Sequence, residues 1–159
     1  MNDSPAIVLA EPLSKRLQRG TADIRYLLLG KASRLFLIGH QQPCLDDLTT
    51  FCCFVGHGRS GGTLVGALLN AHPNIVMSNE LNALRRLATG LSAQQLYRVI
   101  YLVSARQVRR GSMGGGGYSY AVDSQWQGKH KDLTVIGDRK AGATVRAQHI
   151  AGVAKDQVV

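Results

Sequence analysis

The stretch Gly56-His57-Gly58-Arg59-Ser60-Gly61-Gly62-Thr63 is the part of this chain best suited to holding an anion. It follows a short apolar run, Phe51-Cys52-Cys53-Phe54-Val55, and opens into an apolar stretch with helical character, Thr63 to Ala71. A Gly-rich turn between a strand and a helix aims several backbone N–H groups at one point, where the helix dipole adds partial positive charge. Its glycines let the main chain close around an anion without side-chain clash. Arg59 adds a full charge, and Ser60 and Thr63 add hydroxyl donors. The expected ligand is a phosphate or sulfate group. A tight strand-to-helix turn with no ligand is the plainer alternative, but a lone turn would not need the internal cation and the hydroxyls.

The spacing nearly matches the nucleotide-binding pattern G-x-x-x-x-G-K-[ST]. Gly56, Gly61 and Thr63 fit, but Gly62 stands where the lysine should be. That lysine reaches the terminal phosphates of a nucleoside triphosphate, so its absence counts against triphosphate chemistry. His57 is read as a variable loop position rather than a catalytic base. Asp138 ends a second apolar run, as a magnesium-binding aspartate would. Arg139 and Lys140 follow it, either as a solvated pair or as groups beside the loop. Arg85-Arg86 and Arg106, Arg109 and Arg110 are read as helix surface.

The elements that must position the loop follow from hydrophobic periodicity. Residues 51–55 form a short continuous apolar run, which suits a buried strand of a parallel sheet. Thr63 to Ala71 is apolar nearly all round, so the helix is expected to be buried, and His72-Pro73 stops it. Ile75-Val76-Met77 is a second candidate strand. Leu81 to about Thr89 is helical, ended by Gly90. Ser92 and Gln95 form a capping-box pattern ahead of a helix reaching about Arg110, with Leu96, Val99, Ile100 and Val103 on one face. Residues 111–131 include four consecutive glycines, Gly114 to Gly117, and read as a flexible loop, either a lid or a linker. Leu133 to Ile136 is a third strand, and Ala141 to Lys155 a last helix. Residues 1–49 form a basic N-terminal arm of one or two amphipathic helices, broken near Gly20 and Gly30. Packing on the domain is preferred for it over a membrane surface. Strands alternating with helices argue an α/β domain over residues 50–159, with a parallel sheet flanked by helices in three layers.

The 159 residues suffice for one domain with a real core, and a hydrophobic fraction of 45% excludes a disordered chain. The net charge of +9 fits an anionic partner without saying which, and no nucleic-acid motif specifies one. Cys44, Cys52 and Cys53 have no metal-ligand spacing and read as reduced thiols, which favours a reducing compartment. No apolar stretch approaches the ~20 residues that span a bilayer, and no signal-peptide pattern begins the chain, so a cytoplasmic location is expected.

The stretch Phe54 to Val65, followed by Leu68-Leu69-Asn70-Ala71-His72-Pro73, resembles the 5′-phosphosulfate loop of sulfotransferases that use 3′-phosphoadenosine 5′-phosphosulfate (PAPS). The family pattern is Lys or Arg, then Ser-Gly-Thr-Thr, then an apolar helix ending in His-Pro. Arg59, Ser60, Gly61 and Thr63 match it, whereas Gly62 replaces the commoner threonine and keeps only the backbone donor. Gln125-Trp126-Gln127-Gly128 and Val135 to Lys140 also look like the bacterial-type branch. The resemblance covers about Phe51 to Thr144 and implies a P-loop-like domain. It implies that the amides of Gly58, Arg59, Ser60, Gly61, Gly62 and Thr63 hold the phosphosulfate. It implies that Arg59 stabilises charge on the leaving oxygen, with no metal required. It places Glu80, after the second strand, as the base that takes a proton from a hydroxyl-bearing acceptor. A glutamate stabilising a helix N-terminus, with Ser78 or Asn79 as cap, is the other reading of that position. The family's second site, for the 3′-phosphate, has no counterpart before Val159, so the domain reads as incomplete at its C-terminus. Two other functions stay open: a nucleotide-dependent kinase or hydrolase with a degenerate loop, and a non-catalytic basic module that binds anions or nucleic acid.

Overall fold

The computed structural model describes residues 13–37, 45–54, 59–111 and 119–140. Five helices and three strands follow one another: α1 (Leu13–Leu37), a short 3-10 turn (Leu45–Asp47), β1 (Thr50–Phe54), α2 (Gly62–Leu69), β2 (Ile75–Asn79), α3 (Ala83–Ala88), α4 (Ala93–Arg109) and β3 (Val135–Arg139). The strands form one parallel sheet in the order β1-β3-β2. Register pairs Thr50 and Ile75 with Val135 at one end, and Phe54 and Asn79 with Arg139 at the other. All three carboxyl ends therefore share one edge. The architecture is α/β, as expected. Residues 141–155, where a last helix was expected, lie outside the described residues.

Alternation along the strands sorts the two faces. Val76 and Ile136 pack with Leu96, Val99 and Ile100 of α4 in the main core, and Phe51 leans on the same cluster. Each of those five buried aliphatic side chains contributes roughly 1.5–3 kcal/mol of transfer free energy. Arg139, of opposite parity to Ile136, lies against α2 on the other face. Gly137, on the middle strand, sits where a Cβ would be 2.3 Å from the Cys52 carbonyl oxygen, so no side chain fits there.

Among the described residues β2 is an edge strand, and side-chain amides occupy three of its outward backbone groups. Asn70 Oδ1 accepts from the Met77 N–H at 2.9 Å. Gln107 accepts from the Asn79 N–H at 3.1 Å and donates to the Asn79 carbonyl at 2.7 Å. The Asn74 carbonyl in turn accepts from the amides of Thr134 and Val135, docking the start of β3 beside β2.

The Ser92 capping box is present in full: the Gln95 N–H donates to Ser92 Oγ, and the Ser92 N–H to Gln95 Oε1. Three expectations change. The arm is not broken at its glycines, because α1 runs through both Gly20 and Gly30. Gly30 is buried, and a Cβ on it would lie 2.4 Å from Leu91 Cδ2; it serves close helix approach rather than a break. Tyr26, Leu27 and Leu29 of α1 pack on the main core. Second, α2 is not buried all round: Leu64, Val65 and Leu68 are 51%, 43% and 54% exposed. Third, β3 starts two residues later than its apolar run and takes in Asp138 and Arg139.

The described part of the 111–131 segment has no helix or strand but is tied to the domain. Gln127 donates to the carbonyls of Ala67 and Tyr120 and accepts from the Val122 N–H. Trp126 N–H donates to the Ala71 carbonyl. His130 stands edge-on to Tyr101, with ring centroids 6.1 Å apart. Cys52 and Cys53 are half-buried free thiols, and burial first, then Asp138 and Cys52, pushes the Cys53 thiol up to about 12. Cys44 lies outside the described residues. Among the described residues, no helix is long and apolar enough to cross a membrane.

Asn70 is fully buried and also accepts from Ser104 Oγ at 3.3 Å. Asn70→Ala leaves both donors without a partner, and we expect a loss of roughly 2–3 kcal/mol in urea unfolding. Burial holds the His130 pKa down at about 4, against 6.5 for an ordinary histidine. Between those values the unfolded chain binds a proton that the folded chain refuses, so stability falls as pH drops through that window. His130→Phe is expected to flatten the melting temperature between pH 7 and pH 5.

Candidate functional site

The loop that follows β1 reaches α2 through two left-handed residues. Arg59 has φ 65° and Gly61 has φ 74°. The second suits glycine; the first is a conformation that an arginine adopts only when the surrounding chain imposes it. Gly56, His57 and Gly58 lie outside the described residues. Arg59 and Ser60 are exposed, and Thr63 is half-buried. Gly61 is the N-cap of α2 and brings no side chain to its first-turn amides. Those amides face the same edge of the sheet as the carboxyl ends of β2 and β3, the edge where α/β proteins bind ligands.

Arg139 lies against this helix end. A Cβ added to Gly62 would lie 3.0 Å from Arg139 Nε, and one added to Gly66 would lie 3.8 Å from Arg139 Cβ. The arginine thus rests along a smooth strip, one helical turn long, made by two glycines on the same side of α2. It is only 9% exposed, so the solvated-pair reading does not hold for it. Its guanidinium donates to Asn79 Oδ1 at 3.3 Å and to Glu80 Oε1 at 2.5 Å. Glu80 also pairs with Lys140 through its other oxygen. Glu80, Arg139 and the amino end of α2 therefore form one continuous polar patch.

Glu80 owes its position to a strained turn. Glu80 and Asn82 have φ 63° and 61°, two left-handed non-glycine residues separated only by Leu81. The Asp138 carboxylate holds this turn from below. It accepts from Ser78 Oγ at 2.8 Å, from the Leu81 N–H at 3.2 Å and from the Ala83 N–H at 2.9 Å. Burial pushes its carboxyl up, while the donors from Ala83, Ser78, Leu81 and Asn82 pull the other way. Asp138 thereby serves the amino end of α3. Neither Ser78 nor Asn79 acts as its cap: the N-cap is Asn82, without a side-chain bond. The magnesium-type placement considered for Asp138 does not fit either, because the residue is only 2% exposed and its oxygens are committed to the β2–α3 turn.

On the far side of Glu80, α1 closes a cleft of about 370 Å³ against α3. Arg85 and Arg86 both pair with Asp23 of α1, Arg85 Nη2 at 2.5 Å. Burial pushes the Asp23 carboxyl up, but the two guanidiniums outweigh it and hold the pKa below the ordinary value. Arg86 is buried, stacks over Tyr26 at 4.4 Å and donates to the Leu81 carbonyl. It is an internal strut, not helix surface. Arg106, Arg109 and Arg110 are exposed, as expected.

Of the residues singled out in the sequence, Gly62 and Glu80 are thus brought together through Arg139. Sequence reasoning undervalued Arg139 and missed Asn79 and Asp23. A basic residue directly after the strand-ending Gly137-Asp138 was the available signal for Arg139; the part played by α1 has no local signature. Compared with family models, with curated proteins and with solved structures, the chain matches none.

The load on Asp138 is directly measurable. Asp138→Asn keeps the shape but turns an NH2 group toward backbone donors. We expect a loss of about 2 kcal/mol or more in urea unfolding, with the denaturant slope unchanged.

Proposed function

We propose that this chain is the phosphosulfate-binding part of a sulfotransferase that moves a sulfuryl group from PAPS to an acceptor hydroxyl. One observation carries the reading: the Arg139 guanidinium rests against Gly62, at a helix amino end that has no side-chain cap. A cation beside the positive end of a helix is unfavourable unless negative charge lies there too. Glu80 supplies part of that charge from one side. A tetrahedral dianion on the loop supplies the rest. The residues described at the loop suit such a group. Gly61 takes the left-handed turn without strain, and Gly62 leaves room for the arginine. The Ser60 and Thr63 hydroxyls are donors of the right kind.

PAPS, when bound, supplies the activated sulfuryl group and departs as adenosine 3′,5′-bisphosphate. The first-turn amides of α2 bind and orient the phosphosulfate end. Arg59 and Arg139 offset the negative charge that builds on the oxygen where the sulfur bond breaks, which is the largest contribution to many group transfers. Glu80 faces the cleft, where it accepts the proton of the acceptor hydroxyl as the new oxygen–sulfur bond forms. Lys140 and Arg139 fix the Glu80 carboxylate from two directions. The shared edge of the sheet sets donor and acceptor on either side of this group, so that positioning does much of the work.

Calorimetric titration with adenosine 3′,5′-bisphosphate, and in parallel with ATP and magnesium, tests the reading. The bisphosphate should bind more tightly. Arg59→Ala should weaken it about tenfold or more, the usual worth of a charge-assisted hydrogen bond, while leaving the melting temperature unchanged. Tighter binding of ATP with magnesium would overturn the proposal in favour of a nucleotide-triphosphate enzyme. Binding that is steeply salt-dependent and indifferent to Arg59 would leave a basic anion-binding module.

A further inference from the structure

α1 uses only one of its sides to pack. Tyr26, Leu27 and Leu29 lean on the main core, and Gly30 lies against Leu91. Asp23 is half-buried and held by Arg85 and Arg86. The other side carries Leu17, Ile24 and Leu28, which are 63%, 60% and 61% exposed. At the pitch of an α-helix their spacing sets them in one row, roughly 16 Å long, with the exposed Thr21 between the first two. Single exposed aliphatic residues are ordinary, but three in a row on one helix make an apolar surface. The row lies on an outer layer, because α1 packs on α3 and α4, and α4 covers the sheet.

The borders of the row are basic. Arg25 precedes Leu28 by three residues and Lys31 follows it by three, which sets an exposed cation on either side of it. Neither pairs with an acidic group among the described residues. The only acidic residue in the sequence of α1 is Asp23, on the inner side. From these observations we infer that the outer side of α1 docks on the surface of a bilayer that carries anionic lipid. The aliphatic row enters the boundary between headgroups and acyl chains. Arg25 and Lys31 lay their apolar stems beside it and bring their charges to the lipid phosphates and carboxylates. The combination of apolar and basic groups selects this partner. A nucleic acid would use the cations and leave the row in water. A second copy of the chain would bring Arg25 and Lys31 of both copies together with no exposed carboxylate on either helix to meet them. Docking need not order the helix, because the core already holds it. The net charge of +9 draws the chain to the same surface from a distance. The inference is independent of the sulfuryl-transfer reading.

The test is flotation of the full chain with vesicles of phosphatidylcholine alone, and with vesicles of equal parts phosphatidylcholine and phosphatidylserine. The mixed vesicles should bind it about tenfold or more tightly, and added salt should weaken that binding. Ile24→Ser with Leu28→Ser should weaken binding to the mixed vesicles about tenfold or more. Arg25→Glu with Lys31→Glu should weaken it by about as much. All four positions are exposed, so the melting temperature of each variant should match that of the parent chain. Leu64→Ser with Leu68→Ser removes aliphatic groups exposed on the opposite face of the sheet, and should leave binding unchanged. Equal binding to both kinds of vesicle, or no binding to either, would overturn the inference. Full binding by the Ile24→Ser, Leu28→Ser variant would overturn it too, and would leave attraction by net charge alone. Loss of binding in the Leu64→Ser, Leu68→Ser variant would move the contact to the other face. A dimer in sedimentation equilibrium that Ile24→Ser with Leu28→Ser dissolves would assign the row to a second copy of the chain instead.

Discussion

The buried carboxylate of Asp138 is the fixed point of this molecule. It sits at the end of the middle strand and receives a hydroxyl and backbone amides from the turn that leaves β2. Without an anion there, nothing would offset the cost of two left-handed side-chain-bearing residues within three positions. With it, Glu80 is thrown out toward the carboxyl edge of the sheet and α3 begins with its amino end neutralised. The neighbouring residue, Arg139, then points to the opposite face by the simple alternation of a strand. One dipeptide on β3 thus anchors a turn with its first side chain and supplies the charge of the polar patch with its second.

The strand–turn–helix unit was legible because each of its parts obeys a local rule. Apolar runs of five residues, a glycine turn and a His-Pro stop need no long-range information. The capping box of α4 was equally plain, since Ser92 and Gln95 satisfy each other's backbone neighbours. What could not be read locally was the tertiary use of residues with weak intrinsic preferences. Gly30 looked like a helix breaker, but its missing side chain is what lets α1 meet Leu91. Arg86 looked like surface, because neither Asp23 nor Tyr26 is near it in sequence. The outer side of α2 looked buried from composition alone, yet three of its aliphatic side chains face outward.

The loop residues are singled out by type and spacing alone, whereas the groups near the start of α2 have no local signature. Arg139 reaches both α2 and Asn79 only because β3 is inserted between β1 and β2, an order that no periodicity reveals. Asp23 reaches Arg85 and Arg86 only because α1 folds back along α4. The basic balance of the chain gains meaning from the same contacts. Part of it is internal, in Arg86 and Arg139, and does structural and local electrostatic service; part is spread over the exposed end of α4.

The amide side chains along β2 have a consequence for how this sheet can extend. Asn70 already occupies the Met77 N–H, and Gln107 both main-chain groups of Asn79. An incoming strand would have to displace both side chains, one of them fully buried, to pair with these groups. Among the described residues, pairing of a further strand is therefore opposed on the β2 flank, which gives the sheet a built-in polarity.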